Sequence, residues 1–161
     1  MPFTPLHMGP GLLLKACLQG AFSLMVFGWS QILIDIQPLV VMLTGSGTLH
    51  GWSHTYAGAT LIAVAAALSG KYLGELGLRY MKMSNYQPII WRTAAASAFI
   101  GTWSHVFVDG IMHADMAPLA PLSETRLLYG IIGVDTLHIL CLTSAVLGAA
   151  GYLGVRRWRR L

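Results

Sequence analysis

The six histidines and four aspartates of this chain, His7, Asp35, His50, His54, His105, Asp109, His113, Asp115, Asp135 and His138, nearly all lie in or beside long apolar runs. An ionisable group inside a bilayer costs roughly 2.5–3.5 kcal/mol by insertion scales, so such residues mark a pathway, a proton relay or a metal site. Their pairing of imidazole with carboxylate is metal-ligand chemistry. His50-Gly51-Trp52-Ser53-His54 sets two imidazoles four positions apart, about 40° apart around a helix axis, a spacing that can chelate one ion. Alone, it fits equally a solvated helix start whose histidines only form hydrogen bonds.

His105 and Asp109 repeat that spacing with mixed ligands, and His113 adds a further turn on roughly the same face. The aspartate is either a ligand or the acceptor that orients a metal-bound imidazole. Asp135 and His138 give the i, i+3 version, resembling the acid-x-x-His device of four-helix di-metal proteins, although there the acid is Glu. They are the candidates for general base or orienting group, and His7, Asp35, His50, His54, His105, Asp109 and His113 for metal ligands. Asp115, before two prolines, reads as a solvated turn residue, and Glu75 and Glu124 as surface charges.

Nitrogen and oxygen ligands without thiolates suit Zn²⁺, Mn²⁺ or Fe²⁺, with zinc the first expectation for hydrolysis. One ion with three ligands and an open water position would suffice, and the ligand count also admits two bridged ions. Cys17 and Cys141 are far apart in apolar runs and read as packing residues.

The elements that must position these groups are membrane helices. The 161-residue chain is 55% hydrophobic and only 10% charged, with a mean hydropathy of +0.64, which excludes an ordinary soluble fold. We expect one membrane-embedded domain over residues 1–161, an all-α polytopic bundle. Four transmembrane helices are expected: from about Ala21 to Leu43, interrupted by Gly28 and Pro38; from Thr55 to about Met81; from Ile89 to Met112; and from Leu127 to about Val155. A short helix from His7 to Gln19 would be tilted, interfacial, re-entrant or a fifth span. No Lys or Arg precedes Lys15, so the basic start of a secretory signal is missing.

The net charge of +4 reads as a topology signal and not as a nucleic-acid patch. Lys71, Arg79, Lys82 and Arg92 bracket one connection, and Arg156, Arg157, Arg159 and Arg160 follow the last span, which puts both on the cytoplasmic side. The ligand candidates from Asp35 to His138 then fall on the external side, and His7 joins them if the N-terminal segment reaches that side. Trp91 and Trp158 read as interfacial anchors, and Trp29, Trp52 and Trp103 as core.

With these residues in view, the chain resembles the YdjM-type family of small bacterial inner-membrane proteins described as membrane-bound metal-dependent hydrolases. The resemblance rests on Thr4-Pro5-Leu6-His7, Ile34-Asp35-Ile36, the His50–His54 element, and Ser104-His105 followed by Asp109. It covers the chain as far as about Asp115. Gln37 stands where the family usually has a second acid and Ile34 where it has proline, while the His50–His54 element lacks an arginine and is one residue shorter. These departures favour one ion over two.

The resemblance implies a hydrolase of the bacterial inner membrane that holds metal through His7 and Asp35 as well as the other candidates. A lipid or amphiphile entering sideways would be cut at a phosphoester or amide. The alternative is an accessory subunit or an ion- or proton-conducting protein, with Gly and Ala positions suited to contacts in a homo-oligomer or larger complex. An iron-dependent oxidase would need more histidines.

Overall fold

The computed structural model describes residues 5–158, so Thr4 of the opening motif and Arg159 and Arg160 of the basic cluster lie outside the described residues. Among the described residues the chain is helical and contains no strand. Its helices are α1 (Met8–Leu18), α2 (Leu24–Ile34), α3 (Ile36–Thr44), α4 (Tyr56–Tyr80), α5 (Trp91–Met112) and α6 (Val134–Trp158), with short 3-10 turns at Pro5–His7, Gln19–Ala21, Trp52–His54 and Ser84–Tyr86.

Three stretches are long and apolar enough to cross a membrane: Leu24–Thr44, Tyr56–Tyr80 and Val134–Trp158. Helix α5, expected as a fourth span, has 22 residues but falls short in apolarity. It is the most enclosed helix, burying Thr93, Ser97, Thr102, His105 and Asp109 among alanines and glycines. The composition that weakens it as a lipid-facing span suits it to carry the polar site. The outer faces of α4 and α6 are oily, exposing Leu61, Leu68 and Leu76 on one and Ile139, Leu142, Val146 and Leu147 on the other. These features describe a membrane protein.

Helix α2 packs on both α4 and α5, and those two pack on each other, around Val26, Ala66, Ala67, Ala94 and Ala98. Alanine and glycine dominate because association in lipid depends on close van der Waals approach, with no hydrophobic driving force between helices. A methyl at Gly101 would collide with Ser30 Oγ, so α5 meets α2 closely just where Gln31 and His105 face one another. Helix α1 lies along α6, with Gly9 against the Cys141 backbone and Gly148 against the backbone of Leu12 and Leu13. In this way α6 seats α1, and α1 carries His7 at its N-cap.

Local breaks differ from expectation in ways that shape the site. The span from Ala21 passes Gly28 unbroken and stops at Ile34, and α3 begins at Ile36. Pro38 explains the position: it has no N–H, and its ring clashes with the carbonyl four residues earlier, that of Ile34. Asp35 therefore sits at the break between two helices, not along one. The last helix starts at Val134 and not at Leu127, since residues 127–133 form turns that include Gly130 at φ +73°.

Candidate metal centre

The polar groups gather at one end of the α2, α4 and α5 bundle. His7 comes from the turn before α1, Asp35 from the α2–α3 break, His50 and His54 from the segment before α4, His105 and Asp109 from α5, and His113 and Asp115 from the chain that follows it. Ile34, Ala59, Val106 and Met116 form an apolar cluster beside them.

His50 and His54 are not helical neighbours as the spacing suggested. Gly51 takes φ −83° and ψ −145°, and Thr55 caps α4 by accepting from Gly58 N–H, so the helix begins only at Tyr56. The two rings still meet edge to face at 5.2 Å, brought together by the 3-10 turn. Likewise α5 ends at Met112, and His113 is extended at its C-cap instead of adding a helical turn.

At the centre, His105 Nε2 lies 3.3 Å from Asp35 Oδ1 and 3.1 Å from Asp109 Oδ2, and His54 Nε2 lies 3.8 Å and 3.6 Å from the same two oxygens. All four residues are at most 5% exposed. Yet neither Nε2 is aligned to form a hydrogen bond with a described residue. Tetrahedral metal–ligand bonds of about 2.0–2.1 Å put the ligand atoms about 3.3–3.4 Å apart. The four observed separations bracket that edge.

The hydrogen bonds behind His105 fix which nitrogen faces the cage. Gln31 Nε2 donates to Gly101 O at 2.9 Å, which turns Gln31 Oε1 towards His105 Nδ1 at 2.7 Å. An amide oxygen only accepts, so Nδ1 carries a proton and Nε2 is the nitrogen left facing the cage. Nε2 of His105 thus faces two carboxylates, a donor set that a divalent cation between them would satisfy. Burial lowers the His54 pKa against the upward pull of Asp35, which favours the neutral ring that a metal requires. Its Nδ1 pairs with Ser53 Oγ at 2.9 Å, and Ser53 N–H donates to Gln37 Oε1, also at 2.9 Å.

Gln31→Leu should therefore keep the bundle folded but weaken metal binding by about 10–100-fold, the usual cost of losing a ligand's orienting partner. Metal titration of the purified variant checks this.

The cluster extends outward on both sides. His7 Nε2 stands 3.0 Å from Asp109 Oδ1 and its ring stacks on His105 at 4.4 Å. On the other flank His50 stacks on His113 at 4.1 Å, and His50 Nδ1 donates to both oxygens of Asp115 at 2.9 Å. With the His105–His54 and His54–His50 contacts, both at 5.2 Å, five imidazoles form one continuous line. Three groupings have ligand atoms close enough to hold an ion: His7, His105 and Asp109; Asp35, His54 and His105; and His50, Asp109 and His113.

All seven residues expected as metal ligands thus come together. Asp135 and His138 do not join any of the groupings; they sit in the first turn of α6, with Asp135 exposed. Asp115, read as a solvated turn residue, is exposed in a turn and in addition holds His50. Burial would raise the Asp115 pKa, but the His50 hydrogen bond, the charge interactions with His50 and His113 and a backbone hydrogen bond together outweigh it and hold the carboxyl low. Trp52 and Trp103 flank the cluster and are 59% and 47% exposed, not core.

Compared with protein-family models, curated proteins and solved structures, the chain matches none.

Proposed function

We propose that the chain is a membrane-embedded metal-dependent hydrolase, with one divalent ion, zinc in the first instance, held by Asp35, His54, His105 and Asp109. The observation that carries this reading is the pair of buried Nε2 atoms, neither in a hydrogen bond with a described residue, that stand 3.1–3.8 Å from two buried carboxylates. Removing a carboxylate from water costs several kcal/mol, and a divalent cation offsets two at once. When bound, the ion would lower the pKa of a coordinated water towards 7 and polarise a scissile bond. Asp35, His54, His105 and Asp109, all buried, would position that ion and exclude bulk water from its inner side.

Access is from the outer flank, where His113 is partly exposed and Asp115 is exposed. This suits a lipid or other amphiphile cut at a phosphoester or amide close to the membrane surface. The distribution of basic residues supports an inner-membrane protein with a cytoplasmic C-terminus and an external site. Asp135 and His138 take no part in this reading. A proton or ion route is less well supported, because it needs ionisable groups through the membrane depth. Behind the cluster the shared core of α2, α4 and α5 is Val26, Ala66, Ala67, Ala94 and Ala98.

The test is hydrolysis of a panel of phospholipid and amide-linked amphiphiles in mixed micelles. Activity should disappear on chelation and return with Zn²⁺ or Mn²⁺. Activity that survives complete metal removal would refute the proposal.

A further inference from the structure

We propose a second divalent-cation site beside the first, built from His50, His113 and the carboxylate of Asp109, with Asp115 orienting His50. The inference rests on reading the inner cage as a metal site and extends it to a two-ion centre. Three observations carry it. The ligand atoms of His50, His113 and Asp109 lie within 4.8 Å of one another, close enough to converge on one ion.

The second observation is the orientation of His50. A carboxylate only accepts, so the Asp115 contacts assign the His50 proton to Nδ1 and leave Nε2 as the lone-pair atom. This is the carboxylate–histidine arrangement that fixes metal-bound imidazoles. The side chain of His50 is itself only 10% exposed while that of Asp115 is 56% exposed, so the orienting group stands on the solvent side and the imidazole faces inward.

The third is the placement of Asp109. Its Oδ2 faces His54 and His105 in the inner cage, and the same side chain belongs to the outer grouping with His50 and His113. A carboxylate shared between two ligand sets is the bridge of a two-metal centre, whose ions stand about 3.5–4 Å apart. The outer set supplies three protein ligands, leaving positions for water and substrate on the accessible flank.

The full-length protein in detergent is stripped of metal and titrated with Mn²⁺, followed by calorimetry and electron paramagnetic resonance. We expect two equivalents and a spin-coupled pair in the wild type. His113→Ala should bind one equivalent with an uncoupled signal. Asp115→Asn, a conservative change at an exposed position, should keep two sites but weaken one by about 10–100-fold. One uncoupled equivalent in the wild type, or two coupled equivalents in His113→Ala, would overturn the second site and leave the inner cage standing. No binding at all would overturn both.

Discussion

Replacing His105 with alanine is expected to empty the inner cage, with a loss of metal affinity beyond about 100-fold. The lower bound follows from what losing only an orienting group costs, and His105 is a ligand in this account. His105 is 2% exposed, and its Nε2 approaches both carboxylates at 3.3 Å or less. The nearest imidazoles are already engaged: His7 stacks against its face and contacts Asp109 Oδ1, and His54 occupies another corner of the cage. Elemental analysis of the purified variant against wild type reads the effect. His138→Ala, on α6 and outside every grouping, should retain wild-type metal content.

Asp109→Asn is expected to have the widest consequences, because Asp109 alone takes part in contacts with His7, His54 and His105 and in the outer grouping with His50 and His113. The amide keeps the shape but removes the charge and one acceptor oxygen. Both ions should be lost, and with them the stabilisation that binding confers, about 2.7 kcal/mol at a metal concentration 100 times Kd. The metal-free variant should unfold no more easily than metal-free wild type, since it no longer buries that charge. Thermal unfolding with and without Zn²⁺ separates the two effects: wild type should shift upward with metal and Asp109→Asn should not.

Much of this centre is legible in the chain before folding. Ionisable groups in oily surroundings stand out against their cost, and charge asymmetry between connections predicts that they meet at one end. Seven predicted ligands do so. Periodicity, however, describes helices and is silent about where they stop. The break at Asp35 follows from the steric demand of Pro38 on Ile34, and the separation of His50 and His54 from α4 follows from Gly51 and the Thr55 cap. Both were present as residue types, but their effect depends on tertiary packing.

The orienting groups were harder to see. Gln31 lies four residues before Asp35 in an apolar helix, and a polar amide there is a signal in its own right. Its role appears only once Gly101 lets α5 approach α2 and accepts its N–H. Asp115 pairs with His50 across 65 residues of sequence, a contact no local spacing encodes. Asp135 and His138 show the converse, since attractive spacing on α6 does not bring them into the cluster. The close packing of α6 against α1 gives that helix a different part, seating the segment that carries His7.

The central claim, a divalent ion held by Asp35, His54, His105 and Asp109, is tested most directly by X-ray absorption at the metal edge of the purified wild-type protein. The account predicts a first shell of nitrogen and oxygen at about 2.0–2.2 Å, imidazole scattering from at least two histidines, and no sulfur. Protein without bound metal after loading, or a shell containing thiolate sulfur at about 2.3 Å, would contradict it.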